Sequence, residues 1–246
     1  MKFLNWKIKL SISLIGLSLL IYLLNYLVFQ DVGYMSRLFL GQLGFLPISV
    51  LLVTIILNQL LAQRAKSAKL NKLYMVIGAF FSEVGVRLLK TLAAHDRQLV
   101  DMQPRMVAMA HWKARDFAGF SRDLAERNSL VQLEATDLET LRDFLIQKRD
   151  FLMRLLENPN LLEHDSFSDL LLSVFHLTEE LTHRTDLSRL SAVDRDHLAG
   201  DVHRAYILLN KEWLTYMSHL QANYPYLFSL ALRTNPLDPS ARPEIE

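Results

Sequence analysis

The feature that most constrains this chain is a run of twenty uncharged, mostly apolar residues at positions 10–29. A helix of this length spans about 30 Å, which matches the hydrocarbon core of a lipid bilayer. A second uncharged run covers positions 38–63, with Pro47 in its first helical turn, where a missing N–H group does no harm. We therefore predict a transmembrane hairpin over 1–63, with spans at about 10–29 and 43–63.

A cleaved signal peptide is the alternative for the first run, since three lysines precede it. The run is longer than the hydrophobic region of a signal peptide, and no A-x-A-like cleavage site follows Phe29. Cleavage there would leave the second run in place, so a membrane segment is expected in either case.

Basic residues next to the spans predict their orientation, because cytoplasmic ends carry an excess of lysine and arginine. Between the two runs the only basic residue is Arg37. The other basic residues that flank the spans are Lys2, Lys7, Lys9, Arg64, Lys66, Lys69 and Lys72. We therefore expect a multi-pass protein of a prokaryotic inner or cell membrane, with both termini in the cytoplasm and the lipid bilayer as a partner.

The net charge of +1 conceals an uneven distribution. Residues 1–72 hold eight basic residues and a single acidic one, Asp31, whereas acidic residues outnumber basic ones in the remainder. A mildly acidic domain lacks the clustered basic surface that neutralises phosphates, so nucleic acid is not an expected partner. The chain has no cysteine, which excludes disulfides, thiolate metal sites and thiol nucleophiles.

Residues 64–234 are predicted to form a cytoplasmic helical domain. Apolar residues recur at spacings of three and four from Leu70 to Leu88, the pattern of a helix buried on one side. A third span or an interfacial helix is the alternative for this stretch, although Glu83, Arg87 and Lys90 would make insertion costly. No segment alternates with period two between turn glycines. The expected fold is therefore an all-α membrane protein, with a bundle of five or six helices and no β-sheet.

Two capping signals predict where later helices begin. Ser191 followed by Asp194 predicts the start of a long helix that reaches about position 222, and Thr136 followed by Glu139 predicts another start. Three prolines fall within 235–246, so this C-terminal tail is predicted to be extended and disordered.

The most specific candidate for chemistry is the group His176, Glu180 and His183. On a helix these residues share one side, and Glu180 with His183 has the E-x-x-H spacing of di-iron helical bundles. Such a bundle needs a second pair, and the nearest substitute is at 194–197, where aspartate replaces glutamate; His197 or His203 would be a further ligand. The sequence thus contains a candidate transition-metal site, while the simpler interpretation is that these are surface or half-buried polar residues.

Other motifs have simpler structural explanations. The pairs at 95–96 and 164–165 have the His-Asp sequence of metal phosphohydrolases, without the further ligands that such sites need. The methionines at 102, 106 and 109 recur at helical spacing and are typical of a core. Five aromatic residues near the C-terminus predict packing of the last helix or a partner surface: Trp213, Tyr216, Tyr224, Tyr226 and Phe228.

No catalytic or nucleotide-binding motif emerges, since neither G-x-S-x-G nor G-x-x-x-x-G-K-[ST] occurs. The expected function is that of a non-enzymatic scaffold, transducer or oligomeric membrane component with no required cofactor. Asn25 and Asn58 lie within the spans and favour helix association, either within the hairpin or with a second copy of the chain. A protein partner of the helical domain is a further candidate. The alternative is a membrane-anchored sensor or enzyme that binds a metal or a small ligand in its helical bundle.

Overall fold

The computed structural model describes residues 2–126, 131–159, 161 and 164–244, without the side chains of 2–7 and 107. The side chains of Lys2 and Lys7, two of the predicted flanking residues, lie outside this description. The chain divides into two compact units, Met1–Lys66 and Ser67–Glu246, and each is described by itself.

The first unit contains helix α1, Lys2–Phe29, and the beginning of helix α2, Val32–Phe80. Gln30 has a φ of 48° and turns the chain between the helices. The Asp31 carboxylate then accepts a hydrogen bond from the Tyr34 N–H at 2.9 Å and caps the start of α2. The Tyr22 hydroxyl donates to Gln42 Oε1 at 2.9 Å, so α1 and α2 contact each other as a helical hairpin.

Two helices are long and apolar enough to cross a membrane, as judged by length and composition. They are Ile8–Phe29 and Val32–Ala93. The second consists of α2, a five-residue π-helical segment at Phe81–Gly85, and helix α3 at Val86–Ala93. The apolar segments at positions 8–61 are solvent-exposed.

The second unit begins within this long helix and continues as a series of helices. These are α4 (Gln103–Val107), α5 (Ala114–Glu126), α6 (Ala135–Leu156), α7 (Asp165–Thr182), α8 (Ala192–Asn223) and α9 (Pro225–Arg233). Short 3₁₀ turns lie at Arg97–Met102, Ala108–His111 and Leu187–Arg189. The parts of the chain that the structure describes contain no strand, which confirms the all-helical prediction.

The core of the second unit forms around α8. Helices α5 and α7 pack directly on α8, and α6 packs on α7. Trp213 and Tyr206 of α8 are buried, and so are Ile77, Phe81 and Leu88 of the long helix. The predicted apolar seam of this helix is therefore buried along most of its length, whereas Leu70 at its start is 39% exposed.

The C-terminal tail differs from its prediction where it begins. Asn235 is 3% exposed and Leu237 is fully buried. The Trp213 indole N–H donates to Asn235 Oδ1 at 3.1 Å, and the Leu237 N–H donates to the same oxygen at 3.3 Å. The buried indole needs an acceptor, and Asn235 provides it, so residues 235–237 pack on the core instead of extending into solvent.

Candidate functional site

Helices α7 and α8 bring four potential metal ligands together, namely His176, Glu180, His197 and Asp201. Each helix contributes a histidine followed four residues later by an acidic residue. Residues at this spacing lie one above the other on a helix surface. The Ser191 side chain accepts a hydrogen bond from the Asp194 N–H at 3.2 Å and fixes the start of α8, and therefore the phase of its first turns.

One donor atom from each of the four residues lies within 4.8 Å of the other three. The Nε2 atoms of His176 and His197 are each 3.5 Å from Asp201 Oδ2. His176 Nε2 is 3.8 Å from Glu180 Oε1, and His197 Nε2 is 3.7 Å from Glu180 Oε2. These separations are longer than ordinary hydrogen bonds, so the four groups surround a common point rather than pairing.

The side chains of the site differ in their exposure to solvent. The Asp201 side chain is 3% exposed, whereas the His176 and His197 side chains are 47% and 54% exposed. Asp201 Oδ2, the oxygen that faces both histidines, has no hydrogen-bond partner. A buried carboxylate oxygen without a donor costs free energy, so a hydrogen-bond donor or a cation beside this atom would stabilise the fold.

Two arginines orient the two carboxylates. Arg204 Nη1 donates to Asp201 Oδ1 at 3.0 Å, and Arg184 Nη1 donates to Glu180 Oε2 at 2.5 Å. The hydrogen bond from Arg184 is the main cause that lowers the pKa of Glu180, which favours its ionised form. Arg184 also donates to Asp194 and lowers the pKa of that carboxyl. Both ligand carboxylates are thus held in place by a cation on one side.

The structure joins two of the three predicted ligands to the site and places the third outside it. His176 and Glu180 belong to the group, whereas His183 does not. Helix α7 ends at Thr182, and His183 Nδ1 lies 2.8 Å from the Glu179 carbonyl oxygen as part of the helix C-terminus. His197, considered in the sequence as a further ligand, takes the position expected of His183.

Asp201 belongs to the group but was not among the residues predicted from the sequence. Its signal is the repeat of one spacing, since H-x-x-x-E at 176–180 is followed by H-x-x-x-D at 197–201. The search for a second E-x-x-H motif led instead to Asp194, which binds Arg184. His203 is half-buried on α8 and is not among the four grouped residues.

The remaining candidates occupy structural positions. His95 Nε2 lies 3.2 Å from Asp137 Oδ2, and His164 Nδ1 accepts a hydrogen bond from the Phe167 N–H at the start of α7. The three predicted core methionines are buried at 102, 106 and 109. Of the five C-terminal aromatic residues, Trp213 and Phe228 are buried, whereas Tyr226 is 72% exposed.

Together these features define an all-helical protein with two long apolar helices at its N-terminus and a histidine–carboxylate group between two helices of its second unit. Its sequence matches the family described as "Uncharacterized protein MJ1433, C-terminal helical domain" at residues 69–233 and "MJ1433, N-terminal helical domain" at residues 1–61. The chain belongs to this family.

A curated relative supports the same assignment over nearly the whole chain. It is "Uncharacterized protein MJ1433" of Methanocaldococcus jannaschii, which is 43% identical over 234 residues, or 95% of this chain and 94% of the relative. No solved structure matches the chain.

Proposed function

We propose that this protein is an integral membrane protein whose residues 1–63 cross the bilayer twice, and whose helical domain acts in the cytoplasm as a scaffold or transducer. The observation that carries the proposal is the exposure of apolar side chains along α1 and α2. The side chains of Leu19, Leu40 and Leu61 are 66%, 68% and 60% exposed, and neighbouring apolar side chains are exposed to a similar degree. Covering apolar surface contributes about 25 cal/mol per Å², so a surface of this extent needs a lipid or protein cover.

Basic side chains at the ends of the apolar segments support the orientation. The described ones are exposed: Lys9, Arg64, Lys66, Lys69 and Lys72. Lysine and arginine in such positions contact anionic lipid headgroups of the cytoplasmic leaflet. Arg37 alone follows the turn between α1 and α2, which favours the outer side for that turn.

A scaffold or transducer also needs a surface for a partner, and α9 has a suitable one. Phe228 is buried beneath this helix, whereas Tyr226, Leu227 and Leu230 are exposed. Aromatic and aliphatic side chains are frequent anchors of protein interfaces. This surface supports a role in which the domain binds another protein or a second copy of the chain.

Cysteine labelling tests the topology with little background, because the chain has no cysteine of its own. Ser36→Cys marks the turn between the helices, and Ser67→Cys marks the start of the second unit. Both residues are exposed, and the substitution is nearly isosteric. A membrane-impermeant maleimide is applied to intact cells and to permeabilised cells that express each variant.

We expect S36C to react in intact cells and S67C to react only after permeabilisation, with the protein retained in the membrane fraction after alkaline washing. The opposite labelling pattern would contradict the orientation. Release of the protein by alkaline washing without detergent would contradict the membrane assignment itself.

A second candidate function is a membrane-anchored sensor or enzyme that binds a metal or a small ligand. One observation favours it, namely the convergence of His176, Glu180, His197 and Asp201. Saturable binding of Zn²⁺ by the purified wild-type protein that is lost in His197→Ala would support this function over a purely structural one.

A further inference from the structure

We infer that His176, Glu180, His197 and Asp201 bind one divalent transition-metal ion of the zinc class between α7 and α8. The separations of 3.5 to 3.8 Å between donor atoms support this assignment. Ligands about 2.1 Å from a tetrahedral ion lie about 3.4 Å apart, and one donor atom from each residue lies within 4.8 Å of the other three, so some pairs of atoms approach by up to about 1.4 Å to hold such an ion. This inference identifies the metal ion that the second candidate function would use. Metal binding itself does not depend on that function, whereas a biological role of the bound ion does.

The buried oxygen of Asp201 is an independent reason for a cation. Asp201 Oδ2 has no hydrogen-bond donor, although its side chain is almost completely buried. The atom lies at equal distances of 3.5 Å from Nε2 of His176 and Nε2 of His197. A metal ion placed among these three atoms satisfies the oxygen and gives both imidazoles a partner through the nitrogen that already faces inward.

The surrounding charges favour a cation, because their sum is −1. Three carboxylates supply negative charges, namely Glu180, Asp194 and Asp201. Arg184 and Arg204 supply two positive charges and form ion pairs with these carboxylates. Arg204 occupies Oδ1 of Asp201 and leaves Oδ2 directed toward both histidines. Arg184 occupies Oε2 of Glu180, which lies 3.7 Å from His197 Nε2, and leaves Oε1 directed toward His176. Hydrogen bonds from residues outside the ligand set to the ligand side chains fix the orientation of those ligands and raise metal affinity.

The donor set selects the class of metal. Two imidazole nitrogens and two carboxylate oxygens suit Zn²⁺ and neighbouring ions such as Fe²⁺, Co²⁺ and Mn²⁺. Magnesium and calcium prefer oxygen ligands alone, and copper(I) prefers sulfur. Zn²⁺ is the test ion, because it accepts both nitrogen and oxygen ligands and undergoes no redox change.

Zinc binding by the full chain tests the inference. The detergent-purified protein is prepared through an affinity tag that contains no histidine, stripped with chelator and dialysed against micromolar Zn²⁺, and bound metal is measured by elemental analysis and calorimetry. The variants are His176→Ala, His197→Ala and Asp201→Asn. His183→Ala is the matched control, since this histidine lies one residue past the end of the same helix and outside the group. Far-UV circular dichroism checks that each variant is folded.

We expect one zinc ion per chain in the wild type and in H183A, and an affinity lowered by more than about tenfold in each of the three ligand variants. The two histidines are half-exposed, so their removal tests binding even where D201N fails to fold. Unchanged binding in H176A and H197A, equal loss in H183A, or no bound zinc in the wild type would each overturn the site. Labelling of S36C and S67C does not depend on these four residues, so failure of the zinc site leaves the membrane proposal intact, and failure of the membrane proposal leaves the zinc site intact.

Discussion

At the scale of single residues, Asp96 depends on a tyrosine from another helix. Its carboxylate is 5% exposed and accepts hydrogen bonds from the Tyr206 hydroxyl and the Gln98 N–H, each at 3.0 Å. Burial, followed by the charge of Asp96, raises the pKa of Tyr206, so its hydroxyl stays protonated and donates. Tyr206→Phe is expected to lower the free energy of unfolding by about 1–3 kcal/mol, because Asp96 Oδ2 loses its donor while buried.

Chemical denaturation of the detergent-purified protein measures this change. Tyr226→Phe is the control, since Tyr226 is 72% exposed and should lose no stability with its hydroxyl. Equal stability of Y206F and the wild type would mean that Asp96 does not depend on the tyrosine.

His219 gives the stability of the second unit a defined pH dependence. Its ring stacks on Tyr74 with centroids 3.4 Å apart, and its Nε2 is buried without a hydrogen-bond partner. Burial lowers the pKa of His219. The unfolded chain therefore binds this proton more readily, so the stability contributed by neutral His219 is present above the unfolded pKa of about 6.5 and is lost as pH falls below it.

His219→Phe keeps an aromatic ring against Tyr74 but removes the titrating group. We expect this variant to lose less stability than the wild type when the pH is lowered from 7.5 to 5.5. These two values lie on either side of the unfolded pKa of about 6.5. Thermal unfolding with chelator present measures both proteins at the two pH values, so that metal binding has no influence. Identical pH dependence of the two proteins would assign the acid sensitivity to other groups.

Single residues of the candidate site were predictable only where the signal is local. His176 and Glu180 lie four positions apart on one helix, and this spacing is visible in the sequence. The approach of His197 and Asp201 depends on how α7 packs on α8, and helical periodicity alone does not determine the pairing of two helices. His183 was included because the position of a helix end within one residue was not evident from the sequence.

At the scale of elements, the π-helical segment Phe81–Gly85 depends on a glycine. A Cβ atom at Gly85 would lie 2.5 Å from Phe81 Cδ1 and 2.9 Å from Phe80 Cε1. Both rings are buried, and the Phe81 ring also packs on Trp213 and Tyr216. Because neither ring has space to move, Gly85→Ala is expected to destabilise the protein by about 1–3 kcal/mol, despite the higher helix propensity of alanine.

Gly119→Ala in α5 is the matched control, since a Cβ atom there meets nothing within 4 Å. Only the difference in helix propensity between glycine and alanine remains, so the free energy of unfolding of G119A should rise by up to about 1 kcal/mol. Denaturation midpoints compare both variants with the wild type, and a G85A variant as stable as G119A would refute the steric argument.

Helix starts were predictable where a side chain determines them. Ser191 caps α8 as its sequence predicts. Helix α6 begins at Ala135 instead, with a reciprocal cap between Glu134 and Asp137, so the neighbouring pair Thr136 and Glu139 was the wrong choice between two overlapping signals. The packing of Asn235 on Trp213 links residues 22 positions apart, and the prolines of the tail gave no indication of that contact.

At the scale of the whole molecule, the helical class followed from three signals: uncharged runs long enough to span a bilayer, capping pairs, and 3.6-residue spacing in segments such as 70–88. No strand pattern competes with them. The division into two units agrees with the distribution of apolar residues. The hydrophobic core contains residues from Leu73 to Leu237, whereas the exposed apolar residues concentrate at positions 8–61. The arrangement of helices in the second unit required three-dimensional information, because long-range contacts hold it together.

This distribution predicts that the second unit folds without the first. A chain that begins at Ser67 keeps every buried residue of the core and loses most of the exposed apolar surface. We expect it to remain soluble in buffer without detergent and to unfold cooperatively, whereas the full chain aggregates in the same buffer because its apolar helices lack a cover. Size-exclusion chromatography and thermal unfolding by circular dichroism measure the two properties. Aggregation of the shortened chain, or a gradual loss of helix without a transition, would mean that the first unit is needed to complete the core.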